Sequence, residues 1–168
     1  MSSIGPYNPI SITYHRTTVQ KSQIDLDSLF GRISSNNDFN RFKHIIELAH
    51  MQFKLNDPQS NFTIFVPSDI ELNKRYSDEY FDQMDTGLAN TIIKCSTLNN
   101  EIESSILKHP LKYFTTLKQA QRILIRTTDD VSIINEDIKI LKFNIICNNG
   151  IIHVVDNLIL PQYNPMFI

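Results

Sequence analysis

Between residues 38 and 53 the apolar side chains Phe39, Phe42, Ile45, Ile46, Ala49 and Phe53 recur every three or four positions, with polar residues between them. That period places them on one face of an amphipathic helix. Asn37 is positioned to cap its start, and Asn56-Asp57-Pro58 to end it. The pattern then tightens to a short β-rich run, Phe62-Thr63-Ile64-Phe65-Val66, closed by Pro67, which has no N–H for a ladder. Ser68 and Glu71 form the S-x-x-E spacing of a capping box and predict a second helix directly after it. Further helical patterns cover 77–84, 87–96 and 100–108. Beyond His109-Pro110 the chain turns to β-branched runs over 122–127, 131–134, 138–143, 145–147 and 151–155. Asn149-Gly150 between two of these runs reads as a type I′ hairpin turn, with positive φ at both positions. The order, helices first and sheet second, predicts an α+β domain.

Residues 1–22, with Gly5, Pro6 and Pro9 among Ser and Thr, show no sustained period and read as an extended arm. The domain is expected over 23–163 and a short tail over 164–168. At 168 residues the chain fits one domain with one core. Hydrophobic residues at 41% and charged residues at 20% are those of a globular chain.

A net charge of −2 supplies no positive field for phosphate backbones or anionic lipid, so neither a nucleic-acid partner nor membrane insertion is expected. The basic residues of 108–118 and 122–126 alternate with Leu, Tyr and Phe and read as solvated faces. Cys95 and Cys147 are too few for a disulfide scaffold and stand in no zinc-binding spacing; they read as small buried apolar residues. The first 20 residues carry no apolar run of signal-peptide length, and no apolar segment approaches the ~20 residues that span a bilayer, which favours an internal or particle-associated location. Ile and Asn make up roughly a quarter of the chain, well above average usage, as AT-rich coding produces in large DNA viruses and certain protists.

Two segments resemble a known family. Thr63-Ile64-Phe65-Val66-Pro67-Ser68-Asp69 is similar to the first signature of fasciclin (FAS1) domains, T-x-F-x-P followed by a small hydroxyl residue and Asp or Asn. The run Asn149-Gly150-Ile151-Ile152-His153-Val154-Val155-Asp156, continuing through an aliphatic stretch to Pro161, is similar to the second. The resemblance implies a wedge-shaped FAS1 β-sandwich with helices packed along one side. Thr63, Phe65, Pro67, Ser68, Asp69, Asn149, Gly150, His153, Asp156 and Pro161 would be its structural motif residues. It also implies a non-enzymatic interaction or adhesion module with a protein partner. The chain departs from the pattern at Lys108-His109, where relatives have Tyr-His. It departs again at Lys142-Phe143-Asn144-Ile145-Ile146, where integrin-binding relatives carry an Asp, so integrin recognition through that segment is not expected.

Catalysis needs a nucleophile, a base and an orienting group, or a metal with spaced ligands. The five histidines do not supply this. His44 and His50 are six apart, roughly 240° around a helix, and share no face. His153 with Asp156 is half of a hydrolytic triad, and a hydrolase built on it is one alternative reading. Strand alternation instead puts His153 on the face of Ile151 and Val155, inside the core. No Gly-rich phosphate loop, nucleophile elbow or H-E-x-x-H motif is present, so no cofactor, metal or catalytic residue is expected. The apolar cluster after His109-Pro110, made by Leu111, Tyr113 and Phe114 near an expected loop, is the candidate partner-binding surface. A structural protein of a cell interior or virus particle that uses the same fold is the other reading.

Overall fold

The computed structural model describes residues 23–162; the expected arm over 1–22 and tail over 164–168 lie outside the described residues. Four helical pieces come first among the described elements: α1 (Leu29–Ser34), a 3-10 turn (Asn37–Phe39), α2 (Asn40–Leu48) and α3 (Gln52–Asn56). The single helix expected over 38–53 is thus divided. Its break is a Schellman motif: Met51 N–H donates to the Ile46 carbonyl and His50 N–H to that of Glu47, with His50 in the left-handed region at φ 58°. The break rotates the register, so Met51 and Leu55 enter the core while Phe53 stays exposed. Asn36, not Asn37, caps the 3-10 turn. The start of α2 is held from a distance by Asp69, whose carboxylate accepts the N–H groups of Asn40 at 3.2 Å and Arg41 at 2.8 Å.

Strand β1 (Phe62–Pro67) is buried along its whole length, as its continuous apolar run demands. Helices α4 (Asp69–Arg75), α5 (Asp78–Asp82) and α6 (Thr86–Cys95) follow, then a two-residue strand, β2 (Thr97–Leu98), and one short turn of helix, α7 (Ser104–Leu107). The capping box of α4 is half formed: Ser68 Oγ accepts from Glu71 N–H, but the Glu71 carboxylate binds Lys74 and Arg75 instead of reaching back. Five strands complete the chain, namely β3 (Leu111–Thr115), β4 (Arg122–Thr128), β5 (Val131–Ile134), β6 (Ile138–Cys147) and β7 (Gly150–Val155). β3 lies near an expected loop, outside the predicted strand runs, and β6 joins two runs expected as separate strands.

The sheet order is β2-β1-β7-β6-β5-β4-β3, with β1 and β7 parallel and every other pair antiparallel. The sheet is rolled, because an antiparallel bridge joins Leu98 to Thr116 just past β3, and Leu117 N–H donates to the Thr97 carbonyl at 2.9 Å. Two cores result, separated by β1 and β7. Ile64, Val66 and Ile152 face the helices with Leu29, Phe42, Ile45, Ile92 and others. Phe65 and Val155 face into the roll with Leu98, Phe114, Ile123, Ile125 and Ile134. Each such side chain contributes roughly 1.5–3 kcal/mol by leaving water. This is the expected α+β arrangement with helices against the sheet.

The turn signal at Asn149-Gly150 is corrected. Cys147 pairs with Gly150, so the connecting residues are Asn148 and Asn149, and neither has positive φ. The hairpins with positive φ at both central residues are Asp129-Asp130 (51° and 64°) and Asn135-Glu136 (52° and 72°).

Candidate functional site

The signature residues are joints between elements. His153 is fully buried; its Nδ1 accepts the N–H of Asn144 at 3.1 Å, so the proton sits on Nε2, 2.8 Å from the Ile102 carbonyl it donates to. Burial pushes its pKa down to about 4, against the opposing pull of that carbonyl. The buried amide of Asn149 ties β7 to two helical segments: Oδ1 accepts Leu29 N–H at 2.8 Å, and Nδ2 donates to the carbonyls of Leu55 and Asp57, each at 2.9 Å. At Gly150 a Cβ would stand 2.1 Å from the Phe62 carbonyl oxygen and 2.8 Å from Leu29 Cδ1, so only glycine lets β7 lie this close to β1 and α1. Thr63 Oγ1 donates to the Asn100 carbonyl and accepts Ile102 N–H.

His153 and Asp156 do not work as a pair. The Asp156 carboxylate accepts Lys139 N–H at 3.0 Å and faces Arg75 at 3.4 Å. Both thiols are buried, Cys95 and Cys147, and burial raises each pKa to about 11, which leaves them protonated and poor nucleophiles. Among the described residues, no three His, Cys, Asp or Glu side chains gather where they could hold a metal ion.

Asn144 stands at φ 64° within the second of two register shifts in β6, between Lys142 and Ile145. Its Oδ1 accepts Ser104 N–H at 3.0 Å and its Nδ2 donates to Ser104 Oγ at 2.8 Å, so the side chain is committed to the start of α7. The segment that departs from the integrin-binding pattern is therefore a bulge that anchors a helix.

The partner-binding candidates divide. His109 is exposed, and Leu111 and Tyr113 on β3 are 51% and 54% exposed. Phe114 points the other way into the roll and is buried, which removes it from any contact surface. The reason is the strand: a loop could expose all three, whereas β-alternation sends neighbours to opposite faces.

Register extends the exposed pair into a broader face that the sequence reading missed. Leu111 lies opposite Arg126, Arg126 opposite Ile133, and Ile133 opposite Lys139, giving an apolar–basic–apolar–basic row across four strands. Tyr113 lies opposite Leu124, and the Arg122 guanidinium stacks 4.3 Å from the centre of the Tyr113 ring. Every charged residue within β3–β6 is basic: Lys112, Arg122, Arg126, Lys139 and Lys142. The acids Asp129, Asp130, Glu136 and Asp137 sit in the hairpin turns. The signal was present as alternating basic residues in the strand runs, but only register shows that Arg122 and Arg126 stand beside Leu111 and Tyr113.

The Fasciclin domain family matches residues 37–161, well over half of the chain. Stabilin-2 of Mus musculus is 34% identical over 103 residues, covering 60% of this chain and 4% of that protein. Stabilin-2 of Rattus norvegicus is 27% identical over 137 residues, covering 80% and 9%. The chain thus spans a small fraction of these relatives' length. Among solved structures, a FAS1 domain pair from the insect cell adhesion molecule Fasciclin I superimposes with a TM-score of 0.67 at 21% identity, covering 83% of this chain and 51% of that one. These mammalian and insect relatives lend no support to the viral origin that base composition suggested.

Proposed function

Because the chain belongs to the fasciclin domain family, we propose that it is a non-enzymatic interaction module that binds a protein partner through the outer face of β3–β6. One observation carries this reading: Leu111 and Tyr113 lie half exposed on a regular sheet face beside Arg122 and Arg126. Exposed aromatic and aliphatic groups next to arginine have the composition of binding hot spots. Support comes also from the signature residues, whose polar atoms are spent on structural hydrogen bonds, and from the solved relative, which is described as a cell adhesion molecule. Recognition by a metal-dependent receptor through Asn144 is not part of the proposal, since that side chain is a neutral amide engaged with Ser104.

The test places a photo-crosslinking phenylalanine analogue at Tyr113, and at Phe53 as control, in the cells that make the protein. A defined adduct from position 113 that is absent from position 53 and lost in an Arg126→Glu background is expected. Equal adducts at both positions would remove the face from consideration. A turnover present in the wild type and lost in folded His153→Ala would remove the non-enzymatic reading.

A further inference from the structure

We propose that the open edge of β3 takes up an extended, acidic segment of a partner protein as an additional strand. This rests on the proposed interaction role and names its geometry and partner chemistry. Along 111–115, β3 pairs only with β4, and among the described residues its other side forms no ladder pairing until the bridge at Thr116. The register of the β3–β4 pair is continuous, with no bulge and no proline, and Leu111, Lys112, Tyr113 and Thr115 are exposed. Such an edge presents unpaired N–H and C=O groups over about 17 Å, enough for a short strand. The opposite edge of the sheet, β2, is two residues long and buried.

Charge selects the occupant. Arg122 belongs to β4, yet its guanidinium lies over the Tyr113 ring, which places the cation beside a side chain of the edge strand β3. On the other face, the Lys112 ammonium stands 5.5 Å from the centre of the Phe114 ring. An incoming strand therefore meets a cation on each face, and neither has an ion-pair partner among the described residues. Successive acidic side chains, which a strand sends to opposite faces, would be drawn in one on each face, while Leu111 and Tyr113 supply apolar contact. A second copy of β3 is a poor occupant, because antiparallel pairing with itself would bring two Lys112 and two Arg122 side chains together.

The test uses the folded full chain and a fluorescein-labelled short peptide in which Glu-Glu pairs alternate with Val-Val pairs, so that each face of the strand carries acids, measured by anisotropy. The Lys-for-Glu peptide, phosphatidylserine vesicles and sedimentation of the protein alone complete the set. The acidic peptide is expected to bind, and Lys112→Glu/Arg122→Glu, which changes only exposed side chains, to weaken it about tenfold or more. N-methylating alternate amides on one edge of the peptide should abolish binding, whereas methylating the other edge should not. Three results would each overturn strand addition: binding unaffected by both methylated peptides and by charge reversal, binding to the vesicles alone, or dimers that form through β3. Loss of all peptide binding while the Tyr113 crosslink persists would reject strand addition and leave the broader interaction role standing.

Discussion

The backbone N–H of Asn144 points at Nδ1 of His153 from 3.1 Å away, so a left-handed residue in a bulge of β6 fixes the tautomer of a buried imidazole on β7. The other ring nitrogen is fixed by Ile102, and the ring is flanked by Phe65 and Phe143. Protonation would place a second N–H against the Asn144 N–H in a site with no carboxylate among its hydrogen-bond partners. Burial of the ring is the main cause of a pKa that falls from 6.5 to about 4 on folding, and the Asn144 N–H facing Nδ1 disfavours the same proton.

Stability should therefore depend on pH through this ring. Between these two pKa values the unfolded chain binds more protons than the folded protein. The contribution is complete above 6.5 and is lost as pH falls toward about 4. At 1.36 kcal/mol per pKa unit the loss is on the order of 3 kcal/mol. Urea unfolding at pH about 7.5 and about 4.5 checks it: the wild type should lose that much, and His153→Gln, less stable at neutral pH, should lose clearly less over the same window. Equal losses in both proteins would assign the acid sensitivity to other groups.

Gly150 tests close approach against turn geometry. Its glycine is required by contact, since a Cβ would overlap the Phe62 carbonyl and Leu29. Gly150→Ala is expected to cost about 2–4 kcal/mol, because backbone must move to admit even a methyl group. Asn148→Gly, in the exposed half of the connection, should change stability by about 0.5 kcal/mol or less. If both variants melt with the wild type, the packing of β7 against α1 is wrong.

The order of elements was legible because period and punctuation are local: apolar spacing, Pro67, the Ser68 cap and the β-branched runs each act within a few residues. Three features were not legible, for physical reasons. His50 takes a left-handed helix terminus that usually goes to Gly or Asn, so nothing announced the break between α2 and α3. Asp129-Asp130 and Asn135-Glu136 adopt positive φ without glycine, whereas the Gly of Asn149-Gly150 serves contact and not a turn. The face around Tyr113 needed register, which is set by pairing partners on neighbouring strands beyond the reach of local spacing. The resemblance located His153 and Asn149, but not which helix or loop each one holds.

Alternation along β3 predicts opposite responses from adjacent residues. Leu111→Ser/Tyr113→Ser removes exposed side chains and should shift unfolding free energy by about 1 kcal/mol or less, mainly through the lost contact of Arg122 with Tyr113. Phe114→Ala empties a site inside the roll and should cost about 3–5 kcal/mol. Denaturant titration of the two variants decides it. Comparable losses would mean that β3 is not a regular strand and that the proposed face does not exist in this form.

Asn144→Asp offers the last test, because it restores the acid that the integrin-binding pattern carries at this point. The new carboxylate would replace an amide already bonded to Ser104: Oδ1 can go on accepting Ser104 N–H, and the Ser104 hydroxyl can turn to donate to the second oxygen. Both oxygens would remain directed at the first turn of α7, where a carboxylate is also favoured by the exposed N–H groups. The substitution should leave stability within about 1 kcal/mol of the wild type. It should also give the protein no new divalent-dependent adhesion, because a carboxylate turned inward toward Ser104 is not offered to a receptor-bound cation. The measurement is attachment of integrin-bearing cells to the immobilised domain with Mn²⁺ and with EDTA. Cells that hold to Asn144→Asp in Mn²⁺ and release in EDTA, while ignoring the wild type, would show that the amide alone withholds this segment from such receptors and that its structural role does not.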